Sequence, residues 1–171
     1  MKIDKRRRIE NKTDYRKRLI LLKGKVPRFI VRKTNKYIIL QIITSKSAQD
    51  KVVYSINTKE LLKFGWPEER KGSLKSISAG YLGGFLLGKK TKGFKSEVIL
   101  DIGLIPNTKG SRVYAAVKGL LDSGVKIKCS QKILPSKEML EGKFTKIKPE
   151  IFNKIKDRID KLAEKPAKEV I

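Results

Sequence analysis

Gly80, Gly84 and Gly88 recur every fourth residue inside one apolar run, Ser73 to Lys90. An α-helix brings residues at that spacing onto one face. Each glycine weakens a helix by about 1 kcal/mol relative to alanine. Three on a single face therefore mean that another backbone comes close. Packing of this helix against a sheet is the simplest expectation, so the core needs strands elsewhere.

The strands precede that helix. In PRFIVRKTNKYIILQIITS, Phe29 and Val31 alternate with Arg28, Ile30 and Arg32, and Tyr37 to Thr44 is apolar and β-branched. Thr34-Asn35-Lys36 divides the two runs as a turn, which predicts a β-hairpin. A third strand, Lys51 to Asn57, follows a polar loop and completes a meander. Thr58 to Gly65 reads as a short helix stopped by Gly65. EVILDI, Glu97 to Ile102, is a short buried-type strand. The helix after it has Ser111 as N-cap, an apolar stripe of Val113, Ala116, Val117, Leu120 and Leu121, and Gly124 as its stop. Near the N-terminus, Thr13 is the expected cap of a helix through YRKRLILL, and the stretch through Asn11 reads as a mobile basic arm. Beyond Pro149, Ile151, Ile155, Ile159 and Leu162 mark a surface-docked amphipathic helix, and the tail after Pro166 reads as disordered. The organisation is a basic N-terminal arm and helix over 1–25, an α/β core over 26–134 and a C-terminal helical extension over 135–171.

Charge decides the function class. The chain has 42 lysines and arginines against 17 acidic residues, a net charge of +25. That excess opposes compaction unless a polyanion neutralises it. The longest nearly uncharged run, Ser76 to Gly88, is too short to span a bilayer, so a membrane partner is not expected. No apolar core follows the basic start, and a cytoplasmic location follows by default. A single cysteine, Cys129, excludes an internal disulfide and a cysteine-based zinc site. The absence of histidine removes the commonest general base and metal ligand. No phosphate-binding glycine loop is present, and no cofactor is expected. A metal-dependent RNA nuclease would need converging carboxylates. Asp101 at a strand end is the only well-placed one, and a role as a structural partner fits it better.

An RNA-binding protein remains. Consecutive Arg6, Arg7 and Arg8, then Arg16, Lys17 and Arg18, suit phosphate contact, and the interleaved Tyr15 and Tyr37 suit base stacking. The hairpin tip adds Arg32, Lys33, Asn35 and Lys36. Thr108, Lys109, Ser111 and Arg112 at the join of loop and helix make a candidate phosphate seat.

Five blocks follow in one order: KTDYRKRLILLK, PRFIVRKTNKYIILQII, SAGYLGGFLLGKK, EVILDIGL and TKGSRVYAAVKGLLDSG. This arrangement resembles ribosomal large-subunit protein family eighteen in its archaeal form, whose eukaryotic relative is large-subunit protein five. The resemblance spans about Arg6 to Pro135. It implies a three-layer α/β core with a mixed, largely antiparallel sheet, of ribonuclease H-like topology without the active site. It implies a structural constituent of the large subunit that binds 5S rRNA in the central protuberance. The large-subunit rRNA and neighbouring ribosomal proteins, including the other 5S rRNA-binding protein, would be its further partners. By position, the implied RNA contacts are Arg6, Arg7, Arg8, Lys12, Thr13, Tyr15, Arg16, Arg18, Arg28, Arg32, Lys33, Asn35, Lys36 and Tyr37. Tyr37 stands where a histidine is common in the family. A nuclease and a non-specific RNA chaperone are the alternatives.

Overall fold

A computed structural model describes residues 5–47, 49–91, 94, 96–141 and 149–162. The expected disorder after Pro166 falls outside them. Strands β1 (Arg28–Lys33), β2 (Ile38–Lys46) and β3 (Gln49–Asn57) form the meander, and β4 (Ile99–Asp101) joins beside β1. The sheet order is β3-β2-β1-β4, antiparallel except for the parallel β1–β4 pair. Beyond β4, Val98 forms an isolated parallel bridge with Ile127.

The β1–β2 turn lies where it was expected. Thr34 closes it: its Oγ1 donates to the Tyr37 carbonyl at 2.7 Å and accepts from the Tyr37 N–H at 2.9 Å. The polar loop expected after β2 is much tighter, because β2 and β3 pair as far as Lys46 and Gln49. Ser45 and Asp50 face each other there and hydrogen-bond at 2.6 Å. A register shift at Ile42/Ile43 makes β3 bulge, with Tyr54 and Val52 as successive partners.

Alternation along the strands gives the sheet two unlike faces. Phe29, Val31, Ile38, Leu40, Ile42 and Ile56 point one way into the main apolar cluster. Over this face lie α3 (Ile77–Lys90) and α4 (Arg112–Asp122). Ser76 caps α3 by accepting from the Ala79 N–H. The glycine row of α3 does mark a close backbone approach, but its neighbour is α4, not the sheet. A Cβ at Gly80 would lie 2.8 Å from the Arg112 carbonyl oxygen, and one at Gly84 would overlap the Ala116 backbone. Gly119 of α4 answers them, since a Cβ there would overlap the Tyr81 carbonyl. The sheet instead meets Gly83 through Leu40, with Thr58, just past the end of β3, beside it. Buried Thr58 ties the two layers, accepting from the Ile38 N–H at 2.9 Å and donating to the Leu74 carbonyl at 2.7 Å.

The C-terminal helices α5 (Lys137–Glu141) and α6 (Pro149–Leu162) join the same apolar cluster through Leu140, Phe152, Ile155 and Ile159. The stripe of α6 is thus centred on Phe152 rather than on half-buried Ile151. Its flanks are fixed by polar contacts: Lys89 pairs with Asp160 at 2.6 Å, and Arg158 donates to the Phe64 carbonyl at 3.0 Å. Tyr81 stacks on Phe85, and its hydroxyl donates a hydrogen bond to Asp122 at 2.8 Å. Burial and the Asp122 carboxylate hold that phenol protonated far above its ordinary range.

Candidate nucleic-acid interface

The second face of the sheet is polar at its centre. Arg28, Ile30 and Arg32 point toward it, opposite Phe29 and Val31. Arg28 has a side chain only 2% exposed. Its guanidinium donates to Asp101 at 3.0 Å, to Asp50 at 2.6 Å and to Ser45 at 2.9 Å. Asp101 also accepts from Arg32 at 2.9 Å and from the Gly103 N–H at 2.9 Å. The Arg28 guanidinium expected to meet RNA is thus buried and held from three sides, the arrangement of an internal anchor rather than of an exposed phosphate contact. The same geometry occupies Asp101, the one carboxylate that a nuclease reading singles out.

Asp50 links this network to the N-terminal helices. It accepts from Arg18 at 2.9 Å as well as from Arg28. Burial pushes its carboxyl pKa up, but the hydrogen bonds from Ser45, Arg18 and Arg28 outweigh that and hold it below the ordinary carboxylate value. Helix α2 (Tyr15–Lys23) needs such a tether, because none of its residues is buried. Its cap is Asp14, one residue beyond the expected Thr13: the Asp14 carboxylate accepts from the Arg16 and Lys17 N–H groups. A carboxylate suits the positive end of the helix better than a hydroxyl. Thr13 instead accepts from Arg7 Nε at 2.8 Å. The stretch expected as a mobile arm contains one helical turn, α1 (Arg6–Ile9), which places Arg6 beside Glu10 at 2.9 Å.

The N-terminal helices and the β4 end enclose a cleft of about 450 Å³. Around it stand Arg7, Lys12, Thr13, Arg18 and Arg32 of the expected contacts. Arg6, Arg8 and Arg16 are exposed but outside its lining. Half-buried Tyr15 lies under the Lys5 ammonium, 4.6 Å from ring centre. Lys17, read from the sequence as one of a basic run, lines the cleft too, and Ile20, Leu104 and Asn107 line it without having been singled out. One signal for them was present: Leu19 and Ile20 put bulky apolar groups in a helix otherwise crowded with charge.

A second cavity, about 330 Å³, joins two segments far apart in sequence. Lys33 from the hairpin end meets Thr108, Ser111 and Arg112 around apolar walls that include Ile38, Ile77 and Val113. Ser111 occupies the N-cap position of α4 but makes no capping bond, and its buried Oγ has no hydrogen-bond partner. Lys109 is exposed beside it, as are Asn35 and Lys36 at the hairpin turn. Tyr37 is half-buried against the apolar cluster. Among the described residues no helix is long and apolar enough to cross a membrane.

Comparison with known proteins places this geometry. A family described as ribosomal large subunit proteins 60S L5 and 50S L18 matches residues 1–96 and 89–130. Among similar curated proteins, the large ribosomal subunit protein uL18 of Korarchaeum cryptofilum is 48% identical over 142 residues, covering 82% of this chain and 71% of its own. The protein of that name from Methanoregula boonei is 38% identical over 167 residues, covering 97% and 94%. That from Methanococcoides burtonii is 37% identical over 166 residues, covering 92% and 93%. The longer alignments extend the likeness well past Pro135, into the region of α6. On this evidence the chain belongs to the family of ribosomal large subunit proteins 60S L5 and 50S L18.

Proposed function

We propose that this chain is a structural constituent of the large ribosomal subunit that binds 5S rRNA and holds it to the large rRNA. The observation that carries the reading is the gathering of Arg7, Lys12, Lys17 and Arg18 around one open cleft, on the face that the helical layer leaves free. The N-terminal helices then form the principal RNA surface, with Arg6, Arg8, Tyr15 and Arg16 extending it. The hairpin turn (Lys33, Asn35, Lys36, Tyr37) and the start of α4 (Thr108, Lys109, Ser111, Arg112) form a second. Arg32 contributes only the exposed part of a guanidinium already tied to Asp101. The order β3-β2-β1-β4 with β4 parallel supports a reduced ribonuclease H-like arrangement. The neighbours in this reading are other large-subunit proteins, including the second protein that binds 5S rRNA.

A competition assay tests it, with labelled 5S rRNA challenged by tRNA at 50 and 200 mM salt. Roughly 6–10 phosphate contacts cost about 10³–10⁵ in affinity over that range. The proposal expects 5S rRNA to outcompete tRNA strongly at the higher salt. Equal competition would reduce the protein to a non-specific polyanion binder.

A further inference from the structure

The cleft beside α2 has an unusual lining for a surface that meets phosphates. Its floor is apolar: Ile20, Leu21, Leu100, Ile102 and Leu104. Ile20 is 63% exposed and Leu104 51%. These two exposed apolar side chains stand beside cations, a juxtaposition that a ligand with both an apolar and an anionic part would satisfy. The charged lining, or rim, is mainly cationic, Arg7, Lys12, Lys17, Arg18 and Arg32 against the carboxylates of Asp14 and Asp101. Neutral hydrogen-bonding groups are present too, in Thr13 and Asn107.

A phosphate backbone alone would use the rim and gain nothing from the floor. An uncharged apolar side chain would use the floor and leave the cations idle. A duplex hides its bases in the stack and presents only sugar and phosphate. One ligand class satisfies both halves: a nucleotide whose base has left the stack. Its base covers apolar surface, its phosphate sits among cations, and the exposed base edge has amide and hydroxyl partners within the cleft. The volume, about 450 Å³, lies within the roughly 300–1,000 Å³ span of small-ligand pockets. Two of the rim cations are held by exchangeable surface contacts, Lys12 with Glu10 at 2.8 Å and Lys17 with Asp14 at 4.0 Å, whereas Arg18 is committed to Asp50. Surface pairs are weak and yield readily to a phosphate.

We propose that this cleft takes a single unstacked nucleotide of the bound RNA, with its base on Ile20 and Leu104 and its phosphate among Arg7, Lys12 and Lys17. The proposal rests on the 5S rRNA reading above and adds to it a site for an unpaired base.

The test uses the full chain and transcribed 5S rRNA. Benzoylphenylalanine at Leu104 is photoactivated in the complex, and the linked nucleotide is mapped by reverse-transcription stops. One unpaired nucleotide is expected. Leu104→Ala, at an exposed position, is expected to lower affinity by roughly five- to tenfold without changing the salt slope, because an apolar contact releases no counterion. Lys17→Ala is expected to reduce that slope by about one. Tight 5S rRNA binding with cross-links absent, or scattered over helical nucleotides, would overturn the nucleotide site while leaving the 5S reading intact. So would a cross-link that forms only to a protein after assembly into subunits. Failure of the unmodified chain to prefer 5S rRNA over tRNA would overturn both.

Discussion

The two faces of the sheet show opposite solutions to the same problem of closure. The face under α3 and α4 is sealed by apolar side chains and by glycines that let two helix backbones nearly touch. The other face is crossed by arginine–aspartate pairs, and α2 is tied to it through Arg18, Asp50 and Arg28 with no buried residue of its own. The sealed face is specified by shape, which tolerates little change. The open face is specified by charge, and its outer members can exchange partners with an anion. A chain of net charge +25 thus keeps its cations out of the apolar cluster and gathers several of them around the cleft on the open face.

Breaking the centre of the open face should cost most. Arg28→Met leaves Asp101 and Asp50 without their common partner, an expected loss of about 3–5 kcal/mol. Urea unfolding measures it, and RNA affinity of the remaining folded protein should be nearly unchanged. A stable variant with lost RNA affinity would return Arg28 to the binding surface. On the sealed face, Gly84→Ala forces a methyl into the Ala116 backbone, with about 1–3 kcal/mol expected from overpacking. Thermal unfolding reads the loss, and Gly72→Ala is the control, since open space surrounds that position.

Asp50→Asn should have a smaller effect, about 1 kcal/mol, because the carboxylate is partly exposed. Its pH signature is definite. The folded pKa lies below the unfolded value of roughly 3.9. The contribution of Asp50 is therefore complete above that value and disappears as pH falls through the folded pKa. Wild type and variant should differ at pH 6 and converge in acid. Arg6→Ala should be smallest for stability, within about 0.5 kcal/mol, yet should lower the salt slope of RNA binding. A variant that unfolds more readily while keeping its slope would make Arg6 structural.

Local chemistry was legible in the sequence and long-range pairing was not. Thr34 announced its turn because a short polar segment between β-branched runs has few alternatives. The glycine row announced a close approach, but periodicity cannot name the neighbour. Gly119 held the missing clue, since a second glycine on an apolar helix makes room for the first. Arg28 looked like a basic residue of a basic strand. Its partners Asp101 and Asp50 lie far away along the chain, and only the parallel β1–β4 pairing and the tight β2–β3 turn bring them together. The cap moved from Thr13 to Asp14 because adjacent residues of both types satisfy the same rule. The cleft was invisible as a unit because α1, α2 and the β4 end build it jointly.

The division of labour between the faces can be measured directly by hydrogen exchange of the full chain, free and bound to 5S rRNA. The account predicts new protection at α1, α2, residues 99–104 and the Thr34–Tyr37 turn, with the exposed side of α6 unchanged. Protection confined to α6 or to the outer edge of β3, with α2 exchanging as in the free protein, would contradict it.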